Sequence, residues 1–190
     1  MVNSASYFRM FNVWTLYFFV GIIGAITLTG CNGCSDGAGA ETPYERQKRE
    51  LESAADTLKA NNAKLVKKQY PGYGEALSVD LSGAKITDKT FDELAKVGLI
   101  AELVLAQSTV TDAHAVRINA KEIGAVLVKL DLSKTEFSDI GLAELRSLNL
   151  LRELNVAGSK VTSDGIAKFQ QERLANKSVP EMFRTVRVTK

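Results

Sequence analysis

Between Ala76 and Ser163 one arrangement of apolar and polar positions comes round four times. It reads Ala76-Leu77-Ser78-Val79-Asp80-Leu81 first and Ile100-Ala101-Glu102-Leu103-Val104-Leu105 second. It returns as Leu127-Val128-Lys129-Leu130-Asp131-Leu132 and as Leu151-Arg152-Glu153-Leu154-Asn155-Val156. A half copy, Phe183-Arg184-Thr185-Val186-Arg187-Val188, follows near the end. Counted on the central apolar residue (Val79, Leu103, Leu130, Leu154), the steps are 24, 27 and 24 residues, and the last, to Val186, is 32. A period of this size, kept over four copies, marks stacked units, none of which can bury its apolar faces alone.

Each copy predicts the same elements. The apolar pair at its end alternates with period two, so it marks a short strand with Val79, Leu81 and their counterparts turned inward. A small residue (Ala84, Ser108, Thr135, Ser159) comes three positions later; the hydroxyls can bond the backbone of the turn, and Ala84 cannot. An inward apolar residue follows (Ile86, Val110, Phe137, Val161). Asp88, Asp112, Asp139 and Ser163 then stand where a helix N-cap is expected. Apolar pairs at helical spacing come next: Phe91 and Leu94, Ala115 and Ile118, Leu142 and Leu145, Ile166 and Phe169.

The L-x-x-L-x-L core and these periods resemble leucine-rich repeats, which run about 20 to 29 residues per unit. The resemblance covers Ala76 to about Val188 and implies an α/β solenoid of about four and a half units over 75–190, with short parallel strands and helices. In the family the small-residue slot often carries Asn or Cys, from which this chain departs. Such stacks need covers at both ends.

Upstream of the repeat the pattern changes. Tyr44 to Tyr70 is helical in composition, with Leu51, Leu58 and Leu65 seven apart and Asn61 and Asn62 interrupting the stripe. We read 44–70 as one amphipathic helix that caps the first unit, with Thr42 as N-cap and Pro43 in the first turn. The competing reading is a short coiled-coil seam, for which two heptads are few. Pro71-Gly72-Tyr73-Gly74 ends the helix with strong breakers. Before it, 31–43 is mostly Gly, Ala, Ser and acid and reads as a tether.

Composition alters the picture only at the N-terminus. The chain is 45% hydrophobic and 24% charged, an ordinary globular balance, yet no charged residue occurs from Met10 to Gly30. Arg9, the apolar run from Phe11 to Leu28 and small residues after it form an export-signal layout over 1–30. Leu28-Thr29-Gly30-Cys31 resembles the bacterial lipobox. The resemblance implies cleavage before Cys31, a diacylglyceryl group on its sulfur and a bacterial envelope location. Asn32 in place of Asp favours the outer over the inner membrane. Two or three acyl chains give the stable anchoring that one cannot. Three other readings compete: an uncleaved membrane helix, an ordinary signal peptide with a chance cysteine, and a Cys31–Cys34 redox pair.

Candidate chemistry is sparse. Lys plus Arg is 24 and Asp plus Glu is 22, which argues against nucleic acid. One histidine, His114, makes a His-built metal or catalytic cluster an unpromising idea, and it reads as an ordinary surface residue. No phosphate loop or hydrolase elbow is present. We therefore expect no enzyme, no cofactor and no metal. The residues pointing out of the strands form the candidate binding face. Its first rung is Ser78, Glu102, Lys129, Glu153 and Thr185, and its second is Asp80, Val104, Asp131, Asn155 and Arg187. The third is Ser82, Ala106, Ser133, Ala157 and Thr189. Glu102, Lys129 and Glu153 alternate in charge and can simply pair across strands. Asp131, Asn155 and Arg187 suggest a polar spot for an unidentified protein partner. The expectation is a lipid-anchored, non-catalytic binding or scaffold module. The alternative is a structural lipoprotein that tethers membrane to cell wall.

Overall fold

The computed structural model describes residues 41–70 and 74–190. The export-like run, Cys31, most of the expected tether and Pro71-Gly72-Tyr73 lie outside the described residues. The described chain is mixed α/β, built on one open six-stranded sheet whose strands lie side by side in sequence order. The strands are β1 (Lys64–Tyr70), β2 (Gly74–Asp80), β3 (Ile100–Val104), β4 (Lys129–Asp131), β5 (Glu153–Asn155) and β6 (Arg187–Thr189). β1 pairs with β2 antiparallel, and every later pair is parallel. The helices are α1 (Pro43–Ala60), α2 (Asp88–Lys96), α3 (Ala115–Ile118), α4 (Lys121–Gly124), α5 (Asp139–Glu144) and α6 (Ser163–Ala175).

The register follows the spacing of the central apolar residues. Val79 faces Leu103, Leu103 faces Leu130, and Leu130 faces Leu154. These side chains, and Leu81, Leu105, Leu132 and Val156 beyond them, are buried. So are Ile86, Val110, Phe137 and Val161, and the helix residues Phe91, Leu94, Ala115, Ile118, Leu142, Leu145 and Phe169. One continuous core forms between the inner face of the sheet and the helices. Burying each leucine is worth about 1.5–3 kcal/mol. The 27-residue step is taken up by a 3₁₀ turn at Asp112–His114 followed by the short helices α3 and α4.

After β2, β3, β4 and β5 the chain turns a tight corner through one left-handed residue. Gly83 and Gly158 have φ of 70° and 71°, and Gln107 and Lys134 adopt the same conformation at 58° and 54°. The N–H of Gly83, Gln107 and Lys134 donates to the carbonyl of Ala106, Ser133 and Ala157 in the next segment, each at 2.8 Å. The hydroxyls of Ser108, Thr135 and Ser159 close their turns by donating to the carbonyls of Leu105, Leu132 and Val156, each at 2.7 Å. Ala84 makes the turn with its backbone N–H alone, donating to Leu81 at 3.1 Å.

Three expectations need correction. The helix expected over 44–70 ends at Ala60. Asn62 turns the chain with a φ of 65°, which Asn tolerates, and Lys64–Tyr70 then forms β1. The antiparallel ladder from Lys64↔Asp80 to Tyr70↔Gly74 gives the edge of β2 a partner. Within α1, Ala54 and Leu58 are buried while Leu51 is 42% exposed, so the leucines do not form one inward stripe.

The helix N-caps sit one residue earlier than expected, at Thr87, Thr111, Ser138 and Thr162. The following acid has another task in two segments. Asp112 accepts the N–H of Ser138 at 2.8 Å and its hydroxyl at 2.5 Å. Asp139 accepts the N–H of Thr162 at 2.8 Å and its hydroxyl at 2.6 Å. Each acid thus reaches forward and fixes the start of the next helix.

The last strand is registered two residues later than the half copy suggested. Val188, not Val186, faces Leu154, so Arg187 stands opposite Glu153 and Thr189 opposite Asn155. A 3₁₀ turn at Glu181–Phe183 buries Phe183 and uses up the extra residues. The slip is even, so the faces are preserved.

The largest fully buried side chain is Arg173 of α6. Its partners are carbonyls: Arg146 at 3.1 Å, Leu148 at 2.8 Å, Leu151 at 3.5 Å and Phe183 at 2.6 Å. Its guanidinium also lies 5.7 Å from the centre of the Phe169 ring. Burial pushes its pKa down to about 10, so it remains charged near neutral pH.

Two predictions follow from this packing. A Cβ at Gly165 would collide with the Asp139 carboxylate, and the nearest atoms it would meet all belong to Asp139. Gly165→Ala is expected to destabilise the native chain, and to stabilise an Asp139→Ala chain by about 0.5–1 kcal/mol in urea unfolding. The same sign in both backgrounds would refute the close approach. Arg173→Met should cost at least about 3 kcal/mol by the same measurement, because several buried carbonyls lose a donor together. Arg173→Lys should recover only part, since an ammonium cannot reproduce the planar fork.

Candidate functional site

The outward residues of the strands meet over a shallow depression of about 230 Å³. All six residues expected there line it: Glu102, Lys129, Asp131, Glu153, Asn155 and Arg187. The parallel register sets their order, because equivalent positions on adjacent strands stand opposite one another. Glu102 faces Lys129, Lys129 faces Glu153, and Glu153 faces Arg187.

The first rung is a ladder of alternating charge. Lys129 Nζ lies 3.1 Å from Glu153 and 4.0 Å from Glu102, and Arg187 lies 3.6 Å from Glu153. Lys68 of β1 extends the ladder at the other end, 2.6 Å from Glu102. Ser78 also donates to Glu102, at 2.8 Å. The Glu102 side chain is only 15% exposed, whereas the other members are 43% to 80% exposed. Exposed pairs of this kind contribute about 0–1 kcal/mol each. Glu102 is therefore the fixed point, and the outer pairs can exchange for a partner's charges at small cost.

Burial alone would raise the pKa of Glu102. Hydrogen bonds from Lys68 and Ser78, with the Lys68 charge, outweigh that and hold it below the ordinary carboxylate value. Tyr70 lies beside it, its buried hydroxyl turned towards the same carboxylate. Burial and the neighbouring Glu102 charge push that phenol up to about 12. A carboxylate held ionised in this way suits pairing with a cation better than proton transfer near neutral pH.

The second rung is built for shape. Asp80 and Asp131 each accept a backbone N–H two residues on, from Ser82 at 2.9 Å and Ser133 at 2.8 Å, and Asn155 does the same for Ala157 at 3.1 Å. These bonds pin the corners. Asn155 also donates to Asp131 at 2.9 Å, so these two meet as expected. Arg187 stands on the first rung and pairs with Glu153 instead of joining them. Among the described residues, no three His, Cys, Asp or Glu side chains converge as a metal set.

Sequence reasoning missed Lys68 and Tyr70, because both fell in the segment read as helix. It also misjudged His114. Its Nδ1 accepts the Thr111 N–H at 3.0 Å, and its ring stacks on Phe91 with centroids 5.4 Å apart. His114 thus completes the start of the second segment's helix. Comparison with family models and with curated proteins finds no match to this chain.

The carboxylates of Glu102, Asp80 and Asp139 all lie below their ordinary values; for Asp80 and Asp139 the main cause is a neighbouring hydroxyl, Ser82 and Thr162 respectively. The unfolded chain therefore takes up protons first as pH falls, and stability falls with it. Unfolding free energy should be level near neutral pH and begin to drop around 4.5, the ordinary glutamate value. It should keep dropping through the lower values of the folded state. Glu102→Gln should flatten the upper part of the decline in urea titrations at stepped pH; a free energy unchanged from pH 5 to pH 3 would contradict this account.

Proposed function

We propose that this chain is a lipid-anchored leucine-rich-repeat protein of the bacterial envelope, and that it acts as a non-catalytic binding or scaffold module. The observation that carries the reading is the phase of the repeat. Val79, Leu103, Leu130 and Leu154 stack in one ladder, which aligns Glu102, Lys129, Glu153 and Arg187 on its outer face. On this reading the ladder continues a short solenoid, and α1 with the β1–β2 hairpin covers its first unit. Leu28-Thr29-Gly30-Cys31 supports the anchor on Cys31, and Asn32 after it favours the outer membrane. The partner is a protein whose surface complements alternating charge. Electrostatic complementarity of this kind sets specificity and encounter rate more than affinity.

A second reading, a structural lipoprotein between membrane and cell wall, draws support from a different feature. The charged groups of the face already pair with one another, and no aromatic residue stands among the six, whereas binding hot spots favour Trp, Tyr and Arg.

Mass analysis of the N-terminal peptide tests the anchor. The expected product begins at an acylated Cys31; an unmodified Cys31 still joined to Gly30 overturns it. Crosslinking in intact cells tests the face. One discrete product, weakened about tenfold by Lys129→Glu (about 1.4 kcal/mol), is the expected result. A peptidoglycan ladder insensitive to Lys129→Glu would establish the second reading.

A further inference from the structure

On the other side of the β1–β2 hairpin lies a largely apolar groove of about 470 Å³. Leu51 and Ala55 of α1, Leu65 and Leu77 of the hairpin, and Leu99 before β3 line it. Leu51 is 42% and Leu99 49% exposed. The groove extends along α1. Tyr44, Lys48, Leu51, Ala55 and Lys59 follow one another at steps of three or four residues, which places them on one helical face. Tyr44, at the start of that face, is 74% exposed. Lys59 and Lys67 line the groove together with Glu75, and each is already paired, Lys59 with Asp56 at 3.1 Å and Lys67 with Glu75 at 3.3 Å. An aromatic residue and exposed leucines on one face, with the flanking charges balanced in pairs, suit a surface that rests in a bilayer interface.

What precedes α1 decides the occupant. The uncharged run from Met10 to Gly30 ends next to Cys31, and only the ten residues from Asn32 to Glu41 separate Cys31 from Thr42, the N-cap of α1. Even fully extended, ten residues reach about 35 Å. Those ten hold no aromatic or branched apolar side chain, so they offer nothing that could fill the groove. The bilayer that holds Cys31 is therefore the apolar phase within reach.

We propose that the face formed by α1 and the β1–β2 hairpin lies on the surface of a bilayer, with Tyr44, Leu51 and Leu99 at the lipid interface. The proposal rests on the anchoring read from Leu28 to Cys31. Membrane contact would then be made on one flank of the molecule, which leaves the charged outer face of the sheet clear of the lipid for a partner.

The test uses the full chain reconstituted in lipid nanodiscs, neutral or with phosphatidylglycerol, carrying nitroxide-labelled headgroups. Flotation with vesicles comes first: a chain that does not float with lipid loses its anchor and this surface together. For a chain that floats, methyl signals of Leu51, Leu65 and Leu99 should broaden more than those of Ile140, Leu174 and Met182, although these are more exposed. The difference should persist in both neutral and phosphatidylglycerol discs, because the flanking lysines are already paired. Leu51→Gln with Leu99→Gln, both at exposed positions, should abolish it while leaving flotation intact. Equal broadening on all methyls overturns the surface and leaves the anchor standing. Broadening that depends on protein concentration overturns it in favour of a second copy on the groove.

Discussion

The backbone N–H groups of Gly83, Gln107 and Lys134 each leave their own corner and donate into the corner of the next segment. This single bond, repeated at 2.8 Å, sets the spacing on which the rest depends. β4, β5 and β6 hold three residues each, too few for a strong ladder on their own. The corner lengthens the ladder beyond the strand and prevents a slip, since a shifted segment would lose the bond. Gln107 and Lys134 accept a left-handed backbone for it, at a cost of about 1 kcal/mol each. Gly83 and Gly158 make the same corner without that cost.

Fixed phase then acts on both faces of the sheet at once. Inward, it brings leucine over leucine and closes one core. Outward, it places Glu102, Lys129, Glu153 and Arg187 in one line, so that charge alternates from strand to strand. The helix side is held by a different link, in which Asp112 and Asp139 reach forward to the N-caps Ser138 and Thr162. Gly141 and Gly165 leave the room that those two carboxylates occupy. The glycine in each helix is thus explained by an acid in the preceding segment, a relation visible only in three dimensions.

The inward positions from Val79 to Phe169 were legible because burial follows a period of two in the strands and near 3.6 in the helices. The six residues of the outer face were legible for the same reason. β1 was not, because Lys64, Lys67, Lys68 and Gln69 leave no alternation in a strand exposed on most of its length. Its composition suits a helix, and only pairing with β2 makes it a strand. The N-caps were misplaced by one residue because Thr-Asp and Ser-Asp offer two capable side chains in a row. Arg187 was assigned to the wrong rung because the residues taken up by the turn at Glu181–Phe183 cannot be counted from a pattern. Arg173 gave no sign of burial, since arginine is ordinarily an exposed residue.

Arg173 also imposes an order in time. Its acceptors lie at Arg146, Leu148, Leu151 and Phe183, and Phe183 in turn stacks under the guanidinium of Arg152 at 4.7 Å. A chain that emerges N-terminus first completes its earlier segments one against the next, each as soon as its neighbour arrives. The segment holding α6 cannot finish in that way. Until residue 183 has emerged, its guanidinium lacks the acceptor at 2.6 Å and stays open to water. The stretch around residue 183 is thus a latch on α6, and the segments that precede it in the chain cannot close round Arg173 without it.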